Sequence, residues 1–179
     1  MTTYFSSLQD IERYTHQLQH ETCQHCKHTQ QLLSHGYIRK KSEGSSPVGK
    51  RIFCSNRHPH TGCGRTLQLY LASVVPALHY PGSVLIAFFL AFIQGITITK
   101  AYLTATGACS ARNAFRWLHK AMARLSHFRS LFHPPLSAQK ASESSLKRVL
   151  LGSTFQGLLQ HFSEPLCSRL QLKLQRAFL

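Results

Sequence analysis

Four of the six cysteines form two groups, and these groups constrain the fold of this chain more than any other feature. Cys23 and Cys26 are separated by two residues, and Cys54 and Cys63 by eight. Two thiolates from one tight turn can share a metal ion, and a second pair from a neighbouring hairpin completes a tetrahedral site with no open position. We therefore predict a structural zinc ribbon over residues 23–72, with Cys23, Cys26, Cys54 and Cys63 as the ligands.

The second cysteine pair is stretched by the inserted residues 55–62, so its ligand set has alternatives. Either the insert is a loop and all four cysteines bind zinc, or His58 or His60 replaces one cysteine. A chain without metal is a third interpretation. A catalytic zinc site completed by a histidine and a water is a fourth, but four cysteines fill the coordination sphere and the nearby sequence offers no glutamate as general base.

The charge of the chain indicates its class of partner. Lys and Arg number 21 against six carboxylates, which gives a formal charge of +15 and favours a polyanion, with nucleic acid first and a membrane surface second. The start of the sequence has no basic region followed by an apolar one, so we expect a cytoplasmic protein. The apolar run at 84–93 is about half the length that crosses a bilayer, and we assign it to a core.

The pattern along the chain predicts an α+β fold, mainly α, in which a small β-ribbon precedes a helical bundle. An N-terminal helix is expected within residues 1–22, because Phe5, Leu8, Ile11, Tyr14 and Leu18 recur at helical intervals and Ser7 and Asp10 are spaced as a capping box. Short apolar groups separated by glycines predict strands and turns between residues 28 and 70.

The second half of the chain is predicted to be helical. A domain over residues 82–133 contains segments near 83–94, 97–106 and 110–131, and the small residues of 137–145 indicate a linker. A C-terminal helical segment is expected over 146–179, although Gly152 and Gly157 weaken its first helix and Ser163 is the expected N-cap of its second.

The segment after residue 110 has the pattern of an amphipathic helix with a cationic edge. Arg112, Arg116, Lys120 and Arg124 each advance by four positions, and the apolar side comprises Ala111, Ala114, Phe115, Leu118, Ala121, Met122 and Leu125. We predict a helix-turn-helix whose recognition helix is capped by Ser110 and reads duplex DNA; the alternative is an ordinary surface helix with solvated arginines. The predicted DNA contacts of this helix are Ser110, Arg112, Asn113, Arg116, Lys120 and Arg124. A second, phosphate-binding patch is predicted at Arg39, Lys40, Lys41, Lys50 and Arg51.

These motifs together resemble the N-terminal region of insertion-sequence transposases. The order Cys23-x2-Cys26, His35-Gly-Tyr-Ile-Arg-Lys40, Arg51-Ile-Phe-Cys54 and Cys63-Gly-Arg-Thr-Leu67 is similar to the zinc ribbon of that family, and residues 82–131 are similar to its helix-turn-helix. The resemblance implies that the four cysteines bind zinc and that the segment from Ser110 to Lys120 reads DNA. The stretched second cysteine pair and the region beyond residue 132 depart from the family pattern.

The sequence favours a DNA-binding protein over an enzyme. Transposases cut DNA through a carboxylate cluster that binds two divalent metals, whereas this chain has only Asp10, Glu12, Glu21, Glu43, Glu143 and Glu164. We therefore expect no nuclease activity and predict an accessory protein of a mobile element, with duplex DNA and a transposase or recombinase as partners. The alternatives are an RNA-binding or ribosome-associated ribbon, with Tyr37, Phe53 and Tyr70 as stacking platforms, and an adaptor whose apolar run at 84–93 docks onto a recombinase.

Overall fold

A computed structural model describes residues 2–40, 46–76, 78, 80–131, 143–162 and 165–179. It contains six α-helices and one four-stranded sheet within these residues, which confirms a mixed α+β fold. The chain divides into two compact units. Unit 1 comprises Met1–His79 and Leu170–Phe178, and unit 2 comprises Tyr80–Arg169 together with Leu179.

Unit 1 is built on a sheet with the strand order β1-β4-β3-β2. The strands are β1 Thr2–Phe5, β2 Leu32–Arg39, β3 Pro47–Cys54 and β4 Thr66–Leu71. Neighbouring pairs of β2, β3 and β4 are antiparallel, whereas β1 lies parallel to β4 at the sheet edge. The strands predicted between residues 28 and 70 are therefore present. Strand β1 was not predicted.

Helix α1, Leu8–His16, packs beside this sheet and is shorter than the sequence periodicity suggested. The predicted capping box exists: Asp10 N–H donates to Ser7 Oγ at 3.1 Å, and Ser7 N–H donates to Asp10 Oδ2 at 3.1 Å. Because Ser7 ends the extended backbone and starts the helix, Phe5 belongs to β1 and not to the helix. Ile11 is buried with Leu32, Ile52, Leu67 and Leu69 in one core cluster.

The C-terminal residues 170–178 belong to unit 1. The buried Gln171 side chain donates to Ala72 O at 2.7 Å and to Val74 O at 3.0 Å, and its Oε1 accepts from Phe178 N–H at 3.0 Å. Gln175 bonds both the N–H and the C=O of Tyr4, so its side-chain amide takes the place of a further strand beside β1. The helical segment predicted over 146–179 is divided between the two units.

Unit 2 contains the helices α2 Gly82–Ile93, α3 Ile98–Thr106, α4 Arg112–Arg129 and α5 Glu143–Phe162. Helix α6, Leu166–Leu174, crosses the division between the units. These helices lie close to the predicted ranges, but α5 begins inside the predicted linker 137–145, whose residues 137–142 lie outside the described chain. Ser163, the predicted cap of α6, also lies outside it.

The apolar run at 84–93 forms helix α2, as predicted, and lies in the core of unit 2. Leu85, Phe88 and Phe89 are fully buried. Helix α5 continues through Gly152. A Cβ at this position would lie 3.2 Å from Ile93 Cγ2, so the glycine allows α2 and α5 to approach closely. Among the described residues, no helix combines the length and the apolar character that crossing a bilayer requires.

Candidate functional site

The four predicted cysteine ligands converge at one end of the sheet in unit 1. The sulfur atoms of Cys23, Cys26, Cys54 and Cys63 all lie within 4.8 Å of one another. The Cys23 and Cys63 sulfurs are 3.8 Å apart, and those of Cys26 and Cys54 are 3.6 Å apart. A tetrahedral site with metal–sulfur bonds of about 2.3 Å has sulfur–sulfur distances of about 3.8 Å. The cluster therefore has the dimensions of a four-thiolate metal site, and these cysteines can hold a metal ion.

A tight turn presents the first cysteine pair. Lys27 N–H donates to Cys23 O at 2.9 Å, and Cys23 N–H donates to His28 O at 2.9 Å, so the chain folds back directly after Cys26. Lys27 adopts a positive φ of 63°, a conformation that costs energy for a residue with a side chain. This geometry turns both thiols toward the same point.

The second cysteine pair is brought together by closing the inserted loop. Gly62 N–H donates to Ser55 O at 2.6 Å, and Ser55 N–H donates to Gln31 O at 2.7 Å. Residues 55–62 therefore form a closed loop at the end of β3, and this loop brings Cys63 next to Cys54. The cluster consists of the four cysteines, and neither His58 nor His60 belongs to it. The insertion is a loop, as the first of the two ligand alternatives requires.

Gly62 lies against the cluster, a contact that the sequence did not predict. A Cβ at this position would come within 2.5 Å of Cys54 Sγ and would also collide with Ser55 O. Only a glycine fits there without moving the sulfur. The sequence signal was the glycine directly before Cys63.

The electrostatics of the cluster favour ionised sulfur at one position and protonated sulfur at another. Burial alone raises the pKa of Cys23, but backbone N–H groups of Cys26 and His25 and the neighbouring thiols lower it to about 7. Burial, with hydrogen bonds to the other three thiols, raises the pKa of Cys54 to about 12, although the Cys63 N–H at 3.3 Å opposes this. Four thiolates this close repel one another, so a divalent cation would bind with release of protons.

The cationic side chain of Arg65 contacts the turn that carries the first cysteine pair. Arg65 Nη1 lies 2.9 Å from His25 Nδ1, and both residues are exposed. A divalent ion with four thiolates carries a net charge of −2, and nearby cations stabilise such a centre. Arg65 is the arginine of the Cys63-Gly-Arg motif, but its contact with His25 was not predicted.

The predicted basic patch at the β2–β3 hairpin does not form one surface in the described residues. Lys50 Nζ donates to Glu12 Oε2 at 2.6 Å, and only 12% of the Lys50 side chain is exposed. Lys40 Nζ donates to Val75 O at 3.0 Å. Arg51 is exposed but lies next to Lys50 on β3, and therefore on the opposite face of the sheet. Arg39 stacks over Tyr37 at 5.9 Å, and Lys41 lies outside the described residues.

Helix α4 carries most of the predicted helical contacts on its exposed face. Arg112, Arg116 and Lys120 are exposed, and Arg124 is half-buried. Asn113 instead hydrogen-bonds to Tyr102, so its side chain holds α4 against α3. Ser110 is not the N-cap, which is Ala111; Ser110 Oγ accepts from Arg112 N–H at 3.4 Å, and the helix starts at Arg112.

The inner face of α4 is anchored by aromatic contacts. Trp117 is 4% exposed and packs against Tyr102, Phe88 and Tyr80 with ring centroids 4.9, 5.6 and 5.7 Å away. This cluster fixes the position of α4 relative to α3. Phe115 was predicted to belong to the apolar side and does not: it is 62% exposed and lies on the cationic face.

The connection between α3 and α4 is a glycine-containing turn. Gly107 has a φ of 64°, and its N–H donates to Leu103 O at 2.9 Å, which ends α3 in the left-handed conformation. The Thr106 hydroxyl accepts from Ala108 N–H at 3.2 Å and directs the chain toward α4. The turn joins α3 to α4 within five residues, and Arg112, Arg116 and Lys120 of α4 remain exposed.

The chain matches no protein-family model, no curated protein and no solved structure. The resemblance to insertion-sequence transposases therefore depends on the cysteine motifs and the helical segment of this sequence alone.

Proposed function

We propose that this protein is a zinc-dependent, sequence-selective binder of double-stranded DNA. In this proposal the four-cysteine cluster holds a structural zinc ion, and α3 and α4 act as a helix-turn-helix with α4 as the recognition helix. The observation that carries the proposal is the outer face of α4. There Arg112, Arg116 and Lys120 are exposed on a helix that contains no carboxylate, while the inner face is packed on aromatic residues.

The dimensions of this face suit a DNA groove. An α-helix with its side chains is about 10–12 Å in diameter and therefore fits the major groove, which is about 12 Å wide; a rise of about 1.5 Å per residue spreads Arg112 and Lys120 over about 12 Å of its axis. Side chains near the start of such a helix reach base edges, and later ones meet phosphates. Arg112 and Arg116 would therefore read bases, and Lys120 would contact the backbone.

The start of α4 is unfavourable for an isolated helix. Its first turn carries Arg112 and no acidic residue, and no side chain caps the helix at its N-cap residue. A cation near the positive end of the helix dipole costs stability, and a nearby anion removes that cost. DNA phosphates would supply this anion.

The sulfur geometry supports zinc as the ion in the cluster. Four thiolates at tetrahedral separation leave no open position, so zinc would stabilise the fold and take no part in chemistry. The zinc ion would connect the turn at Cys23–Cys26 to the end of β3. Because the core of unit 1 is small, this connection would add to the stability of the fold.

The alternative functions have weaker support. An RNA platform made of Tyr37, Phe53 and Tyr70 requires the three rings to share a surface. Tyr70 is buried. Tyr37 pairs with Lys50 of β3, and Phe53 lies three residues further along that strand. The rings of Phe53 and Tyr37 therefore lie on opposite faces of the sheet. The adaptor hypothesis requires an accessible apolar run at 84–93, but its largest side chains lie in the core of unit 2.

The described carboxylates support a role without nuclease activity. Asp10 caps α1, Glu12 pairs with Lys50, and Glu21 accepts a hydrogen bond from Tyr14 at 3.4 Å. Each of the three is engaged in a structural contact. We therefore propose a cytoplasmic accessory protein related to transposases, which would act with a transposase or recombinase that supplies the chemistry.

Binding of duplex DNA to zinc-loaded protein, measured by fluorescence anisotropy over a range of salt concentrations, tests this function. The double variant Arg112→Ala/Arg116→Ala should lose about 10- to 100-fold in affinity and reduce the salt slope by about 2. The matched control is Arg169→Ala/Arg176→Ala, which removes two exposed arginines outside α4 and should retain most of the affinity and selectivity. Equal losses in both double variants would contradict a recognition role for α4.

A further inference from the structure

The exposed ring of Phe115 indicates one feature of the DNA target. Phe115 is the most exposed of the large apolar side chains that the structure describes, at 62%. On a helix with 3.6 residues per turn it lies about 60° from Arg112 and about 40° from His119, so it belongs to the same outer face. Because Trp117, Leu118 and Ala121 fill the inner face, Phe115 does not contribute to that core.

The position of Phe115 along α4 places it where a recognition helix meets base edges. It lies within the first four residues of the helix, between Arg112 and Arg116. An apolar ring that enters the major groove there removes water from the base edge that it touches. Polar base edges would lose hydrogen bonds without replacement, which is unfavourable.

One base offers an apolar group at that edge. In the major groove adenine, guanine and cytosine present hydrogen-bond donors and acceptors, whereas thymine presents its C5-methyl group beside one acceptor. We infer that Phe115 is a specificity-determining residue that packs on a thymine methyl group in the target duplex. This inference rests on the proposed function, because it assumes that α4 lies in the major groove.

The test compares thymine with deoxyuridine, which lacks only this methyl group. A duplex is first selected from a random pool with the full-length, zinc-loaded protein, and each thymine is then replaced singly by deoxyuridine. Loss of one buried methyl group corresponds to a decrease in affinity of about 4-fold. We expect this decrease for the wild type at one or two positions, and no decrease at the same positions for Phe115→Ala.

Two controls separate the methyl contact from other effects. Phe115→Leu retains an apolar side chain and should keep part of the thymine preference. Leu146→Ala removes an exposed apolar side chain of α5 and should leave the preference unchanged. Because Phe115 is largely exposed, its replacement should not alter the folding of unit 2.

The outcomes distinguish this inference from the function on which it rests. If the wild type binds duplexes but every deoxyuridine substitution has the same effect on wild type and Phe115→Ala, the methyl contact is refuted and DNA binding is not. Selection of a site without thymine opposite α4, or of no preferred sequence, also refutes it. If the wild type binds no duplex, the proposed function fails, and the methyl contact fails with it.

Discussion

Replacement of Cys54 by serine should disrupt both metal binding and the folding of unit 1. Cys54 ends β3, its side chain is fully buried, and its sulfur accepts the Cys63 N–H at 3.3 Å. Serine keeps the approximate shape but supplies no thiolate at neutral pH. The substitution therefore removes one ligand of four and leaves the surrounding packing largely in place.

The size of the effect follows from the free energy of structural zinc sites. Binding contributes about 10–16 kcal/mol in zinc-finger peptides, so one ligand of four accounts for about 2.5–4 kcal/mol. This corresponds to a loss of affinity of about 60- to 700-fold. Since whole domains are stable by only about 5–15 kcal/mol, removal of the metal should unfold the sheet around the cluster.

Competition with a chromophoric chelator measures the affinity, and amide hydrogen exchange of β2, β3 and β4 reports the folding. Cys109→Ser is the matched control, because Cys109 is exposed in the turn between α3 and α4 and lies outside the cluster. We expect Cys54→Ser to lose affinity and exchange protection while Cys109→Ser retains both. Unchanged zinc affinity in Cys54→Ser, or an equal loss in both variants, would refute the four-thiolate site.

Two further predictions concern the stability of unit 1. Glu12→Gln should destabilise the protein by about 1–3 kcal/mol at pH 7, because it leaves the largely buried Lys50 ammonium without its carboxylate. Hydrogen bonds from Lys50 and Tyr37 lower the pKa of Glu12 from 4.5. The stability that ionised Glu12 adds is therefore complete above pH 4.5 and is lost as the pH falls through the lowered pKa. In urea unfolding, the difference in unfolding free energy between wild type and Glu12→Gln should shrink over that pH range. Gln171→Leu should cost about 3 kcal/mol, since it leaves two carbonyls and one N–H buried without partners, and a loss below about 1 kcal/mol in the same assay would contradict that role.

The sequence predicted the elements whose signals are local. The capping box at Ser7 and Asp10 predicted the start of α1, and the spacing of the cysteines predicted the four residues that form the cluster. Helix α2 followed from its apolar composition. Such signals lie within a few residues of one another, so they can be interpreted without knowing the tertiary contacts.

The contacts that were not predicted depend on residues far apart in the chain. Gln175 bonds Tyr4 across 171 positions, and neither residue suggests the other in the sequence. The charge of Lys50 predicts a place in a phosphate-binding patch, whereas its ion pair with Glu12 depends on how α1 packs beside β3.

Phe115 illustrates the limit of hydrophobic periodicity at the candidate site. On a helical wheel it lies about 60° from Leu118 of the inner face and about 60° from Arg112 of the outer face, and the sequence offers no second signal. Trp117 occupies the aromatic core of unit 2. The larger ring fills the space between α3 and α4, so the helix is rotated with Phe115 outward.

Site-specific photo-crosslinking tests most directly whether the outer face of α4 contacts duplex DNA. A benzophenone side chain is introduced at position 119, which is exposed between Arg116 and Lys120, and separately at position 156, which is exposed on α5. We expect efficient crosslinking of the selected duplex from position 119 and background crosslinking from position 156. Equal crosslinking from the two positions, or none from position 119 under conditions where the duplex is bound, would contradict it.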